Sequence, residues 1–500
     1  MMTPRRTSIL RLADAFTVLG LPVPAGLDPT LTLTGLTADS RAVAPGMLFA
    51  ALVGQKGDGR SYIPQALAAG ACAVLALPDT QVPKGTVLIG VGEPRRALAL
   101  LAAAFYGPTP QPLVAVTGTN GKTSTVTFAA ALWRHLGQAG AASLGTLGVH
   151  GAGFDRPGSL TTPDPVVLHR ILAELAQAGA GPVAMEASSH GLEQDRLAGV
   201  RLAAGAITNI TRDHLDHHGT MEAYRAAKFR LFIDVLPEGA AAVINADIPE
   251  AGTLVAMARA RSLRLLRYGR IGEELRLVST TPLPHGQRVT LDILGERIEV
   301  ELPLAGLFQV YNALAALGLV LGAASKAEAS YLERAVEGLA HLPGVPGRLE
   351  KVAQRRNGAT VYVDYAHTPD ALETVLQALR PHCAERLVCV FGCGGDRDPG
   401  KRPLMGALAA QLADAVVVTD DNPRSEDPAS IRAQILAACP QAQEIGDRGR
   451  AICESVARLA AGDVLVIAGK GHETGQTIGS VTHPFNDAEH ARDAVRKEDA

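Results

Sequence analysis

The chain has 500 residues, 47% of them hydrophobic and 19% charged, with a formal net charge of -3. That length exceeds what one hydrophobic core organises, so roughly two to four domains are expected. The near-neutral charge offers no electrostatic footprint for nucleic acid, and six cysteines form no disulfide framework, which fits a reducing compartment.

In chain order, the N-terminal MMTPRRTSILRLADAF carries Arg11 and Asp14 where a secretory signal would need an unbroken apolar core, so it reads as part of a cytoplasmic protein. The Pro/Gly-rich YGPTPQP (106–112) marks a boundary and sets off an N-terminal domain over 1–110. LVAVTG (from Leu113) then predicts a strand that runs into the loop GTNGKTS, with a helix after it. VAMEASS, AGAITNIT and AAVIN predict further strands that end in polar residues, and the alternation between about 275 and 305 predicts antiparallel hairpins. The longest apolar run, ALAALGLVLGAA (313–324), falls short of the roughly 18 residues of a membrane span and reads as a buried helix. LPGVPGR (342–348) closes a central domain over 111–344 and opens a C-terminal one over 345–500. There TVYVDY, RLVCVFG, AVVVTDD and DVLVIAG predict strands followed by DYAHTPD, GCGGDRDPGKR, DDNPR and GKGHE, where open parallel sheets hold ligands. The expected class is α/β: an N-terminal α/β domain, a central P-loop-type domain with a mostly parallel sheet, and a Rossmann-like C-terminal domain. Cys389 and Cys393 in CVFGC supply half of a zinc site with no second pair to complete it.

The loop Gly118, Thr119, Asn120, Gly121, Lys122, Thr123, Ser124 has the chemistry of a phosphate cradle. Its backbone N–H groups and a helix N-terminus face an anion, Lys122 adds positive charge, and the Thr123 hydroxyl can ligate Mg²⁺. Glu186, ending VAMEASSH, is placed to hold the same ion near Thr123. The generic P-loop pattern would put its first glycine at Val116, so this loop is a shorter form. That form, TGTNGKTS, resembles the loop of the Mur ligase family and of the folylpolyglutamate synthetases, and the remaining blocks resemble the diaminopimelate-adding Mur ligases along nearly the whole chain.

The resemblance implies an ATP-dependent ligase of cytoplasmic peptidoglycan precursor synthesis, adding meso-diaminopimelate to UDP-MurNAc-L-Ala-D-Glu through an acyl phosphate. It implies a UDP-binding N-terminal domain, a central ATP domain and a C-terminal amino-acid domain, acting on small molecules, without membrane insertion, commonly as a monomer. Lys122, Glu186, His214 and Lys228 match its catalytic set, with Lys228 carbamylated by CO₂ and acting with Thr123, Glu186 and His214 on Mg²⁺. Asn312 in FQVYNALAA, Arg348 in GRLE and Asp364 in DYAHTPD match further ATP contacts. Ser40 and Arg41 match the UDP segment; Thr161, Thr162, Ser189, Gln194 and Arg196 match positions that grip the muramoyl-dipeptide. Arg397, Asp421, Asn422, Pro423, Arg424, Gly469 and Glu473 match the diaminopimelate site.

Arg424 in DDNPR carries the specificity expectation. Diaminopimelate differs from lysine by a distal carboxylate, which an arginine fork binds with two hydrogen bonds. Lysine would leave that guanidinium unpaired and bring a second positive charge beside it. His367 and Glu473 are the candidates for accepting the amine's proton, and His217 and His218 in the HLDHH run are left without an assigned role. The rival readings are a lysine-adding ligase, a folylpolyglutamate synthetase, for which residues 1–110 and SSHGLEQDR would have no use, and an ATP-binding regulator without catalysis.

Overall fold

Five consecutive residues with no exposed side chain, Leu113–Thr117, form the strand around which the central sheet is arranged. A strand covered on both faces needs an unbroken apolar run, and this one has it until Thr117. The computed structural model describes residues 10–54, 57–151, 153–158, 160–283, 286–324 and 328–500, so the first nine residues of the N-terminal reading lie outside it. Contacts divide the chain into two compact units, one reaching to Tyr268 and including Ala315–Ala335, the other Gly269–Leu314 with Val336–Ala500.

In the first unit, the strands Gly35–Thr37, Met47–Ala50, Ala73–Ala76 and Val87–Gly90 form a four-stranded parallel sheet in chain order. Leu48, Leu75 and Ile89 bury one of its faces against helix Pro94–Tyr106 through Leu98 and Leu101. In the central sheet, Leu113–Thr117 lies between Val183–Glu186 and Ala204–Ile207, parallel to both. Ala142–Gly145 lies beyond the former, and Ala241–Asn245 and Arg264–Gly269 beyond the latter. The antiparallel strands Gly148–Gly151 and Phe154–Arg156 follow on the far edge. Consecutive strands therefore depart to opposite sides of Leu113–Thr117, which makes its C-terminal end a topological switch point. The helix that follows, Lys122–His135, buries Val126, Phe128, Leu132 and Trp133.

In the second unit, Leu275–Leu283, Gly286–Ile293 and Glu296–Leu302 form the antiparallel meander expected from the alternation. A six-stranded sheet has the order Glu350–Gln354, Thr360–Asp364, Val464–Ala468, Leu387–Phe391, Ala415–Val418, Gln443–Glu444, antiparallel only at its first pair. Alternate residues of each strand enter separate cores: Cys389, Phe391 and Val466 on one face, Val388, Val390 and Ile467 on the other. Burial pushes the Cys389 and Cys393 thiols up to about 12 and about 11, so both behave as small apolar side chains. One charged pair is sealed inside this unit: Arg448 Nε lies 2.7 Å from Asp487 Oδ1 with neither side chain exposed, and Arg448 also donates to the Ala468 carbonyl at 3.0 Å. The apolar run at 313–324 falls, but for its last residue, in helix Leu307–Ala323. Among the described residues no helix is long and apolar enough to cross a membrane.

Candidate active site

The switch point delivers the loop Gly118–Gly121 and then the helix N-terminus at Lys122. Gly118 has φ +148°, and a Cβ there would sit 1.9 Å from Thr208 Oγ1, so only glycine lets the loop lie this close to the neighbouring strand end. Asn209 holds the loop in place: its carbonyl accepts from Thr119 N at 2.8 Å and its side-chain oxygen from Asn120 N at 2.9 Å.

Thr123 and Glu186 come together as the sequence suggested. The Thr123 hydroxyl donates to Glu186 Oε1 at 3.0 Å, and both residues are buried. Thr146, which the sequence reading passed over, donates its N–H to the same oxygen at 2.8 Å and its hydroxyl to Oε2 at 3.3 Å. Thr146 follows the C-terminal end of strand Ala142–Gly145, and that position was the available signal. A buried carboxylate with a hydroxyl beside it is an all-oxygen donor set that fits a hard divalent cation such as Mg²⁺.

Lys122 and Lys228 both donate to the Gly118 carbonyl at 2.8 Å, and Lys122 also donates to the Thr119 carbonyl at 2.8 Å. Lys228 is 1% exposed, with Nζ 4.3 Å from the centroid of the Tyr224 ring. Burial, and then the charge of Lys122, lower its pKa well below the ordinary lysine value, with Asp213 opposing. Both effects shift the balance toward the neutral amine, and the neutral form is the one that reacts with CO₂. Tyr224 was also missed; its hydroxyl lies 3.0 Å from Thr119 Oγ1, tying the helix of Lys228 to the loop.

His214 sits in the left-handed region at φ +52°, its side chain half-exposed and Nε2 3.5 Å from Asp213 Oδ2. Its ring packs edge-on to His190 at 5.0 Å between centroids. Burial first, then the neighbouring His217, His214 and His218, push His190 down to about 4.

The dipeptide-matched residues gather at the same, C-terminal end of strand Val183–Glu186. Thr162 Oγ1 donates to the Glu186 carbonyl at 2.9 Å and accepts from Ser188 N at 2.9 Å. Thr161 and Thr146 hydroxyls are 3.0 Å apart. Arg196 donates to the Thr162 carbonyl at 2.5 Å and to Gln194 Oε1 at 2.8 Å. Gln194 and Arg196 also line a cavity of about 650 Å³ whose opposite wall is Leu36, Thr37, Asp39 and Met47. The Ser40 and Arg41 side chains are not in that wall. Arg41 is turned to solvent and paired with Asp39 at 2.8 Å, while Ser40 donates to Gln65 Oε1 at 3.3 Å.

In the second unit, Asn312 donates to Gln309 Oε1 at 2.9 Å, and Gln309 in turn donates to the Arg348 carbonyl at 3.1 Å. Arg348 lies over the Tyr365 ring, 5.0 Å from its centroid, and its buried Nε has no hydrogen-bond partner. Asp364 accepts from Leu349 N at 2.6 Å and Ala366 N at 2.8 Å; burial still raises it to about 6, against the pull of Arg348.

The residues matched to the diaminopimelate site gather at three strand ends. Asn422 donates to Glu473 Oε2 at 2.9 Å and accepts from the Thr477 N–H at 2.8 Å. Lys470, another residue not singled out from sequence, is fully buried and donates to Asn422 Oδ1 at 3.1 Å and Glu473 Oε2 at 2.8 Å. Against the cost of burial, Lys470 holds Glu473 below the usual carboxylate range. Arg424 has φ +51° and donates to the Gly395 carbonyl at 2.8 Å; Asp421 accepts from Asn422 N at 2.7 Å. A Cβ on Gly469 would meet Asp421 Oδ2 at 2.7 Å, and Pro423 follows in the same turn. Arg397 is exposed, with its nearest partner the Asp396 carbonyl at 3.3 Å. His367 uses Nδ1–H on the Tyr365 carbonyl at 2.8 Å, and burial keeps its pKa below the ordinary value.

Three family models match successive parts of the chain: the Mur ligase family catalytic domain over 32–106, the Mur ligase middle domain over 116–320 and the Mur ligase glutamate ligase domain over 347–471. A UDP-N-acetylmuramoyl-L-alanyl-D-glutamate–2,6-diaminopimelate ligase of Mesorhizobium japonicum is 52% identical over 478 residues, covering 95% of this chain and 98% of the relative. The ligase of the same name from Caulobacter vibrioides is 49% identical over 496 residues, 98% and 99% of the two chains. A solved structure of an enzyme of that name superposes with a TM-score of 0.73 at 35% identity, covering 98% of this chain and 99% of that one. A Mycobacterium tuberculosis folylpolyglutamate synthase shares the fold alone, with a TM-score of 0.59 at 21% identity over 75% of this chain and 92% of its own.

Proposed function

The chain belongs to the Mur ligase family, and we propose that within it this protein joins meso-2,6-diaminopimelate to UDP-N-acetylmuramoyl-L-alanyl-D-glutamate at the expense of ATP, in cytoplasmic peptidoglycan precursor synthesis. The observation that carries this is about half identity, end to end, with ligases of that name. The folate reading rests on fold likeness alone, and it leaves the cavity between Asp39 and Arg196 without a ligand.

In this reading the loop N–H groups and Lys122 hold the ATP phosphates. The γ-carboxylate of the D-glutamyl residue attacks the γ-phosphorus, ADP leaves, and an acyl phosphate forms. The diaminopimelate amine then adds to the acyl carbon, and phosphate leaves from the tetrahedral adduct. Charge spreads over the phosphoryl oxygens in the first step, so catalysis lies in positioned cations and donors. Thr123 and Glu186 would hold one Mg²⁺, and His214 with carbamylated Lys228 a second; the ions supply charge neutralisation. The burial of Lys228 and its lowered pKa support the carbamate, which replaces an awkward buried amine with an anionic ligand. Asn312, Arg348, whose Nε is unpaired, and Asp364 match the family's further ATP contacts. Gln194 and Arg196 would meet the UDP-sugar dipeptide in the cavity, along with Thr161, Thr162 and Ser189. Asn422, Glu473 and Asp421 would receive the ammonium end of diaminopimelate, and Arg424 its distal carboxylate.

The test is phosphate release from Mg-ATP and UDP-MurNAc-L-Ala-D-Glu with diaminopimelate or L-lysine. Turnover should require diaminopimelate. Arg424→Ala should lower its kcat/KM about 100-fold, the scale of a lost charge-assisted pair of about 2–3 kcal/mol. Equal turnover with lysine would overturn the role given to Arg424, and no turnover with either amine would sink the ligase reading.

A further inference from the structure

Past the end of strand Val183–Glu186 lies a second cluster, of a chemistry quite different from the oxygen-rich pair Thr123–Glu186. His190, on the short helix Ser189–Glu193, and His217 and His218, on the turn Leu215–His218, each offer a ligand atom, and these atoms lie within 4.8 Å of one another. The His190 and His217 rings are 3.9 Å apart between centroids, and His190 and His218 5.3 Å. Nitrogens bound tetrahedrally at a Zn–N distance of about 2.0–2.1 Å stand about 3.3 Å apart. Small side-chain rotations close that difference.

The outer partners are also in place. Glu193 Oε2 lies 2.5 Å from His217 Nε2 and 3.9 Å from His218 Nδ1, and Ser189 Oγ lies 3.0 Å from His218 Nε2. Metal-bound imidazoles are oriented by just such oxygens on the other ring nitrogen. Imidazole donors favour borderline transition ions over Mg²⁺, which prefers oxygen.

We propose that His190, His217 and His218, with Glu193 as orienting or fourth ligand, form a binding site for a Zn²⁺-class transition metal ion, separate from the residues assigned to Mg²⁺. An ion here pins the Ser189–Glu193 turn to the turn that follows His214. None of the proposed chemistry uses His190, His217, His218 or Glu193, so the site is additional to the ligase reading, with Ser189 the one residue that the two share.

The test uses the full chain with excess Mg²⁺ present, titrated with Zn²⁺ by equilibrium dialysis and with Co²⁺ by visible absorption. The expected result is one Zn²⁺ per chain and a Co²⁺ spectrum of nitrogen and oxygen ligation. His217→Ala should weaken Zn²⁺ binding at least tenfold. Glu193→Gln, which keeps the side-chain volume, should weaken it by roughly tenfold as a lost outer partner does; it reports on the site even if the alanine variant folds poorly. Failure of the wild-type chain to retain Zn²⁺ would overturn the proposal. Unchanged affinity in well-folded variants would do so too, as would a thiolate charge-transfer band in the Co²⁺ spectrum, which would put the ion on the exposed Cys453.

Discussion

Lys228 and Asp364 are buried ionisable groups whose pKa values are shifted away from charge. The folded value of Lys228 lies below 10.5, so over the interval beneath 10.5 the unfolded chain binds a proton that the folded chain does not. Stability therefore rises with pH through that interval, and the unmodified amine is a net cost at neutral pH. Lys228→Met, in CO₂-free buffer, should raise stability at pH 7 by about 1–2 kcal/mol. The gain should shrink as pH approaches 10.5, while phosphate release is lost. Lys122 continues to serve the Gly118 carbonyl in that variant. Thermal unfolding across pH checks it; a pH-independent difference would show that the amine is not held neutral. Asp364 is the acid counterpart, raised from 3.8 to about 6. Its contribution is present in full below 3.8 and lost as pH rises through about 6. Relative to Asp364→Asn, the wild-type chain should lose roughly 3 kcal/mol of stability across that window. If Asp364 meets ATP as a carboxylate, kcat/KM for ATP falls on the acid side of about 6 in the wild type. That limb should be missing in the variant, and the same pH series reads both effects.

The strand ends are the elements that make the site, and a glycine controls one of them. A Cβ on Gly145 would lie 2.1 Å from Glu186 Oε1. Gly145→Ala must push that carboxylate away from Thr123 and Thr146 and leave buried oxygens without their donors. A destabilisation of about 1–3 kcal/mol is expected, together with a rise in the Mg²⁺ concentration needed for half-maximal turnover. A rise in temperature sensitivity with unchanged Mg²⁺ dependence would mean that Glu186 does not serve the ion. Much of this level was legible in the sequence. Runs such as LVAVT, VLVIA and LVCVF, short and rich in β-branched residues, favour a covered strand, and the polar residues after them mark where open parallel sheets hold ligands. The loop residues 118–124 and the pairing of Thr123 with Glu186 followed from that rule. What stayed hidden depends on contacts between segments far apart in the chain. Thr146 and Lys470 have only their place after a strand end to mark them, Tyr224 has no local signature, and the meeting of His190 with His217 joins two turns that no periodicity connects. Ser40 and Arg41 show the reverse: pairing with Gln65 and Asp39 takes those two side chains away from the wall that Asp39 helps to line.

As a whole the molecule has two compact units with separate cores, so a single unfolding free energy does not describe it. Calorimetry should resolve two transitions. Arg448→Met leaves Asp487 buried without its partner, a loss of about 3–5 kcal/mol. Only the transition of the second unit should fall, by roughly ten degrees for a body of this size. A fall of both transitions together would show that the units melt cooperatively. The first unit offers a handle of another kind. The chain has one tryptophan, and it is Trp133, buried near the end of the helix that begins at Lys122. Indole emission from the native chain is consequently a one-residue optical signal. It arises from the element that would receive the phosphates, with no second indole anywhere in the chain to dilute it, so nucleotide arrival can be followed in stopped flow on unlabelled, unmutated protein.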